Sequence, residues 1–183
     1  MSQKYHVMIT PQRRLEQQPR GLYVTGETTS FVSRDDGAFQ AGYIQANRFE
    51  IKGIEVFYDR VSGLYWARDR SSAGQGNMNT FNAAFVIATD ANSAILGGYD
   101  DWRVPNISEL FSLVEYGQAG SGDYSWADAP WTVARPDDFV WSSTTVERAS
   151  TQAWTVGFEF GNVLPKLKTN LDAKAIVCRG GIL

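Results

Sequence analysis

The sequence has one histidine, His6, and one cysteine, Cys178. These two scarcities remove most nucleophilic and metal chemistry. A Ser-His-Asp or Cys-His arrangement has to recruit His6, which lies in a polar amino-terminal stretch with no nucleophile placed beside it. A zinc site needs three or four Cys, His or carboxylate ligands at workable spacing, and that set is missing. One cysteine also excludes an internal disulfide. There is no GxxxxGKS/T phosphate loop and no GxGxxG fingerprint. The net charge is −3 with both signs scattered, so there is no basic stripe for nucleic acid or for acidic lipid. No window approaches the roughly 18 apolar residues of a membrane span. The opening MSQKYHVMITPQRRLEQQPRG lacks an apolar core of signal-peptide length. The expectation is a chain that is not an enzyme, takes no cofactor or metal, and neither binds nucleic acid nor inserts into a membrane.

Apolar and aromatic residues are plentiful. Hydrophobic residues make up 43% of the 183, enough for one domain to bury a core without staples. Aromatics reach 13%, which suits strand packing and equally suits a surface that grips ligands by stacking.

Residues 1–20, rich in Gln, Arg and Pro, read as an arm. Residues 21–49 read as extended segments and loops packing on or linking to a body, with a turn at Asp36-Gly37. The body is residues 50–183. IEVFY (54–58) and LYWA (64–67), joined by DRVSG, predict a hairpin. After a loop over 70–79, Phe81, Ala84, Phe85 and Ala88 form one helical stripe, capped by Thr80 or Asn79. In PNISELFSLVEYG, Asn106 and Glu109 make a capping box. Ile107, Leu110, Leu113 and Val114 line one face, and Gly117 closes the helix. Residues 118–138 read as loop. FVWSS (139–143) is a strand. QAWTVGFEF (152–160) alternates, with Trp154, Val156, Phe158 and Phe160 on one face. Gly161-Asn162 turns, and NVLPKLK (162–168) returns as an edge because it contains Pro165. AKAIVCRG (173–180) closes. The fold class is α+β, two helices packed on antiparallel sheet with long loops.

Several segments then resemble one known pattern. GGYDDWRVPNISEL (97–110) is similar to the GGY-x-DWR-L/V-P-x-x-x-EL signature of the Lcl C-terminal domain family, named for a bacterial collagen-like adhesin. FVWSSTT followed by AWTVGFEFGNV resembles its YWSST and AW-x-V-x-F-x-x-G-x-V block, and AIVCRGG resembles its VRCVRGG close. VTGETTSFVSRDDGAFQAG and VFYDRVSGLYWARD resemble the segment before the domain and its opening. The resemblance covers about residues 21–181. It implies a C-type-lectin-like fold and a role in recognition, with glycans or host-surface molecules as ligands; the founding adhesin is associated with sulfated polysaccharide and with trimers. On the same resemblance, Asp101, Trp102, Arg103, Pro105, Glu109, Trp141, Ser142, Trp154, Cys178, Arg179 and Gly180 are motif residues. The residues themselves favour a scaffold role for Asp100, Asp101, Trp102, Arg103, Trp141, Ser142 and Ser143. Many members carry a second cysteine in the first helix. FVIATDANSA (85–94) has none, so Cys178 is expected free and buried.

Ligand contacts are expected from residues 118–138 and 144–172. Tyr124, Trp126 and Trp131 sit in loops, where planar rings serve sugars or protein interfaces. Glu159, Asn162, Lys166, Lys168 and Asn170 alternate with buried positions, and Lys166, Lys168 and Lys174 suit an acidic glycan. For any one of these taken singly, an ordinary solvated face is the simpler reading. Asp35-Asp36 and Asp137-Asp138 offer oxygen ligands, but the EPN or QPD loop and WND strand of calcium-dependent sugar sites are absent.

The expected function is a receptor- or glycan-binding adhesin of a phage or prophage tail, working as a homo-oligomer, with a trimer favoured. Residues 1–49 would join other virion or surface proteins. The alternatives are a structural virion or surface assembly component, and a secreted bacterial adhesin domain expressed without its signal peptide.

Overall fold

The computed structural model describes residues 24–41, 47–68, 79–117, 129–130 and 139–181. Their architecture is α+β, with few helices and two antiparallel sheets where the sequence suggested one. The first sheet orders β1 (Phe49–Ile51), β2 (Val56–Asp59), β3 (Leu64–Ala67) and β7 (Cys178–Gly180) side by side. The second orders β4 (Phe139–Val146), β5 (Ala149–Gly157) and β6 (Asn162–Leu167). The helices are α1 (Asp36–Phe39), α2 (Phe81–Ser93) and α3 (Ile107–Phe111).

The β2–β3 hairpin forms as expected. Asp59 shapes its turn: the carboxylate accepts from Val61 N at 3.1 Å and Ser62 Oγ at 2.7 Å. β2 begins at Val56, two residues later than predicted, because Gly53 turns at φ 100° and leaves Ile54 82% exposed. In α2 the cap is Thr80, whose hydroxyl accepts from Ala83 N. The buried stripe is Phe81, Ala84, Ile87, Ala88 and Ala91. Phe85 is exposed and only edges against Phe81, so the expected stripe is rotated by part of a turn.

The capping box of α3 is present, but the helix ends at Phe111. From Leu110 onward the chain tightens into i→i+3 bonds, Leu113 N to Leu110 O and Val114 N to Phe111 O, so that Leu113 and Val114 both reach the core. Gly117 therefore caps nothing; it lies against Gly26. Asp36-Gly37 is not a bare turn but the start of α1, capped by Asp35. Gly37 packs against the carbonyl of Thr29, where a Cβ would come within 2.0 Å of the oxygen.

Alternation along β5 also breaks. Val156 and Phe158 are buried and Trp154 is half-buried, but the strand stops at Gly157 and residues 158–161 turn, which leaves Phe160 62% exposed. Gly161 completes that turn at φ 62°, and Asn162 already belongs to β6. β6 is an edge of its sheet, as Pro165 predicted.

Residues 173–180 do not form one strand. Ala173 and Lys174 bridge Asn79 and Val140, and the chain reaches β3 only at its end, where Ala67 N donates to Val177 O and register pairing starts at Cys178. This segment runs from the second sheet to the first and separates two cores. Ala173, Ala175 and Val177 face the core built on α2 with Trp102 and Trp141. Ile176 and Cys178 face the core built on Phe57, Trp66, Leu110 and Phe158. Neighbouring residues of β2, Val56 and Phe57, divide in the same way. Burial on both faces explains why these stretches read as continuous apolar runs.

Candidate functional site

The DWRVP corner joins both sheets. Trp102 is 3% exposed, its indole N–H donates to Leu96 O at 3.0 Å, and Asn92 bonds both its backbone N and its O. Arg103 grips Glu109 with two bonds of 2.7 and 2.6 Å and donates to Gly180 O at 3.0 Å. Glu109 in turn accepts from Asn106 N, completing the cap of α3. Burial pushes the Glu109 carboxyl up, but the Arg103 and Asn106 hydrogen bonds outweigh it and hold the group below its usual range. Pro105 is buried, and its carbonyl accepts from Ser143 N at 2.8 Å. Asp101 pairs with Arg179, whose hydrogen bond lowers the Asp101 carboxyl. Cys178 is free and buried between these groups; desolvation pushes its thiol up to about 12.

On the second sheet, Trp141 is fully buried. Its indole N–H donates to Asn79 O at 2.8 Å and its ring meets Phe81 edge-on. Ser142, also buried, donates to Trp154 O at 2.7 Å and accepts from Thr144 N at 3.2 Å. These motif residues hold the scaffold through satisfied polar groups.

The remaining candidates gather along one edge. Glu159 is exposed in the β5–β6 turn. Asn162 opens β6 half-buried, with its side-chain oxygen enclosed and unpartnered. Lys166 donates to Asp172 at 3.1 Å with its ammonium 4.2 Å from the Phe139 ring centre. Lys168 donates to Thr145 Oγ1 at 2.8 Å and lies 4.6 Å from the Phe81 ring. Asn170 is exposed and reaches Asp172 at 3.4 Å. Both lysines are thus held in place, and an ammonium has three donors, so each keeps capacity for a ligand. Lys174 forms backbone bonds to β4. Tyr124, Trp126, Trp131, Asp137 and Asp138 lie outside the described residues.

Among the described residues, no group of three or more His, Cys, Asp or Glu is placed to hold a metal, and no helix is long and apolar enough to cross a membrane. Asp35 accepts from the backbone N–H groups of Phe31, Val32 and Ala38. Asp36 accepts from the Thr25 hydroxyl.

The arrangement of hairpin, α2, DWRVP corner and closing segment coincides with a match to the family model for the Lcl C-terminal domain over residues 55–177, more than half of the chain. The chain belongs to the Lcl C-terminal domain family. No curated protein matches it. The Lcl C-terminal domain match starts just before β2 and ends at Val177, directly before β7, so β1 and the whole of β7, Cys178–Gly180, lie outside it. Two features escaped the reading of the sequence. One is the buried Arg48–Asp59 pair, 11 residues apart, for which no motif exists. The other is a set of tyrosines, Tyr58, Tyr65 and Tyr99, that meet on the first sheet. The placing of Tyr58 and Tyr65 near the turn of a predicted hairpin was the available signal for the second.

Proposed function

We propose that this Lcl C-terminal domain is a non-catalytic, adhesin-like recognition module that binds a cell-surface glycan or protein receptor. The family match over residues 55–177 carries the reading. Lys166 and Lys168, each fixed over an aromatic ring beside the β5–β6 edge, support it, because preorganised cations lose less freedom on meeting an acidic ligand. The reading includes a C-type-lectin-like fold, assembly as a trimer, and display on a phage or prophage tail ahead of a bacterial surface. The test is binding of labelled protein to whole bacteria and to stripped surface polysaccharide, with oligomeric state measured by light scattering. Saturable binding that free polysaccharide competes away, and that weakens about tenfold in Lys166→Glu/Lys168→Glu, supports recognition. A folded protein that binds no cell or polysaccharide sinks it.

A second reading, an assembly component, draws on one observation. Phe31, Val32 and Phe39 around α1 are 80%, 67% and 59% exposed. Apolar side chains grouped in that way suit a protein partner. Pull-down of a partner by the whole chain, lost in Phe31→Ser/Phe39→Ser, would favour it.

A further inference from the structure

Glu50 on β1, Tyr58 on β2, Tyr65 on β3 and Arg179 on β7 stand directly opposite one another in register, so they form a single row across the first sheet. Tyr99 extends it. The Tyr58 and Tyr65 rings are 4.7 Å apart, and Tyr65 and Tyr99 are 5.5 Å apart. The Arg179 guanidinium lies 3.8 Å over Tyr99 and 4.9 Å from Tyr65, held by Asp101. At the other end Glu50 pairs with Lys52 and Arg60. The row borders solvent: the three tyrosines are half-buried, Tyr65 and Tyr99 also pack on the core beneath, and the Arg179 side chain is 19% exposed.

Two properties set its ligand chemistry. The hydroxyls of Tyr58, Tyr65 and Tyr99 have no hydrogen-bond partner among the described residues, which leaves them available to a ligand. The formal charges balance: Lys52 and Arg60 pair with Glu50, Arg179 pairs with Asp101, and Asp100, next in sequence to Tyr99 and Asp101, is exposed. Each cation is already paired with a carboxylate and the charges cancel, so the row has no net positive charge to draw in an anionic ligand. A charged peptide meets the same difficulty. An uncharged ring with an apolar face and a rim of hydroxyls meets none.

We propose that the Tyr58–Tyr65–Arg179–Tyr99 row is a binding platform for a neutral pyranose of an uncharged saccharide. The sugar's C–H face would stack on Tyr58 and the Arg179–Tyr65 surface, and its hydroxyls would bond the free phenols. This rests on the recognition reading and names a ligand contact for it, separate from the Lys166–Lys168 edge.

The experiment titrates the whole chain with neutral hexaoses of glucose, mannose and galactose, and with dextran sulfate, by calorimetry. At least one neutral hexaose is expected to bind. Tyr65→Phe, which removes only a hydroxyl, should weaken it about 3- to 10-fold, and Tyr58→Ala/Tyr65→Ala at least about 30-fold, with near-UV circular dichroism confirming the fold. Binding of a neutral hexaose that both tyrosine variants leave unchanged overturns the proposal. So does a protein that binds cells or dextran sulfate and no neutral hexaose, an outcome that leaves the recognition reading standing. A folded protein that binds neither cells nor any saccharide removes both.

Discussion

Arg48 and Asp59 meet in a bidentate pair that is almost wholly enclosed: Nε to Oδ1 is 2.8 Å, Nη2 to Oδ2 is 2.6 Å, and the side chains are 3% and 0% exposed. Arg48 also donates to Ser112 O, beyond the end of α3. The pair thus ties the residue before β1 to the β2–β3 turn and to the helix. Removing one partner strands the other charge in the core. Asp59→Ala should cost about 3–5 kcal/mol in urea unfolding, while Arg48→Met/Asp59→Leu should recover much of that by replacing the pair with apolar volume. A cost below about 1 kcal/mol for Asp59→Ala would mean that water reaches the pair.

Acid should loosen the DWRVP corner. The Glu109 and Asp101 carboxyls are both held below their usual values, 4.5 and 3.8. A group whose folded pKa is depressed contributes stability that is complete above its unfolded pKa and is lost as pH falls through the folded one. Unfolding midpoints should therefore hold steady down to about pH 5 and decline below it. Glu109→Gln should lower stability at neutral pH and flatten part of that decline. Asp35, whose carboxylate accepts backbone N–H bonds from Val32 and Phe31, titrates at about 2. An NMR titration should show α1 persisting after the other two groups have protonated.

Local signals were legible wherever a residue acts on its own neighbours. The Asn106–Glu109 box, the Thr80 cap and the β2–β3 hairpin all depend on spacings of a few residues. Signals failed where distant packing decides. Phe85 continues the helical spacing of Phe81, but α2 turns Ile87 inward instead. AKAIVCRG has the composition of a strand, yet it meets Asn79, β4 and β3 in succession and so cannot pair with one strand throughout. The candidate site divides similarly. The positions of Lys166 and Lys168 followed from the edge strand, but that their charges rest over Phe139 and Phe81 did not, since those rings come from β4 and α2.

Cys178 should be chemically silent. Its thiol is enclosed, with its pKa pushed up to about 12, chiefly by desolvation and against the pull of Arg103. Thiolate is the reactive form. Folded protein at about pH 8 should give no reaction with a disulfide reagent over hours, and one thiol should appear on adding denaturant. Fast native-state labelling would show that β7 detaches from β3, since Cys178 pairs with Trp66 there.

Gly117 should control how the chain before β1 sits on the domain. Tyr116 N donates to Thr25 O at 2.7 Å, and a Cβ on Gly117 would come within 1.8 Å of the carbonyl oxygen of Gly26. Backbone cannot yield as the end of a flexible side chain can. Gly117→Ala must therefore push residues 25 and 26 away, at about 1–3 kcal/mol. The bond from Tyr116 would break, and with Thr25 would go the hydrogen bond to Asp36 in α1. Hydrogen exchange should show the Tyr116 amide and those of α1 losing protection together, while Cys178 N, bonded to Arg103 O, keeps its own. Loss at Tyr116 alone would mean that α1 holds without Thr25. Loss at Cys178 as well would mean that residues 24–41 brace the core and do not merely rest on it.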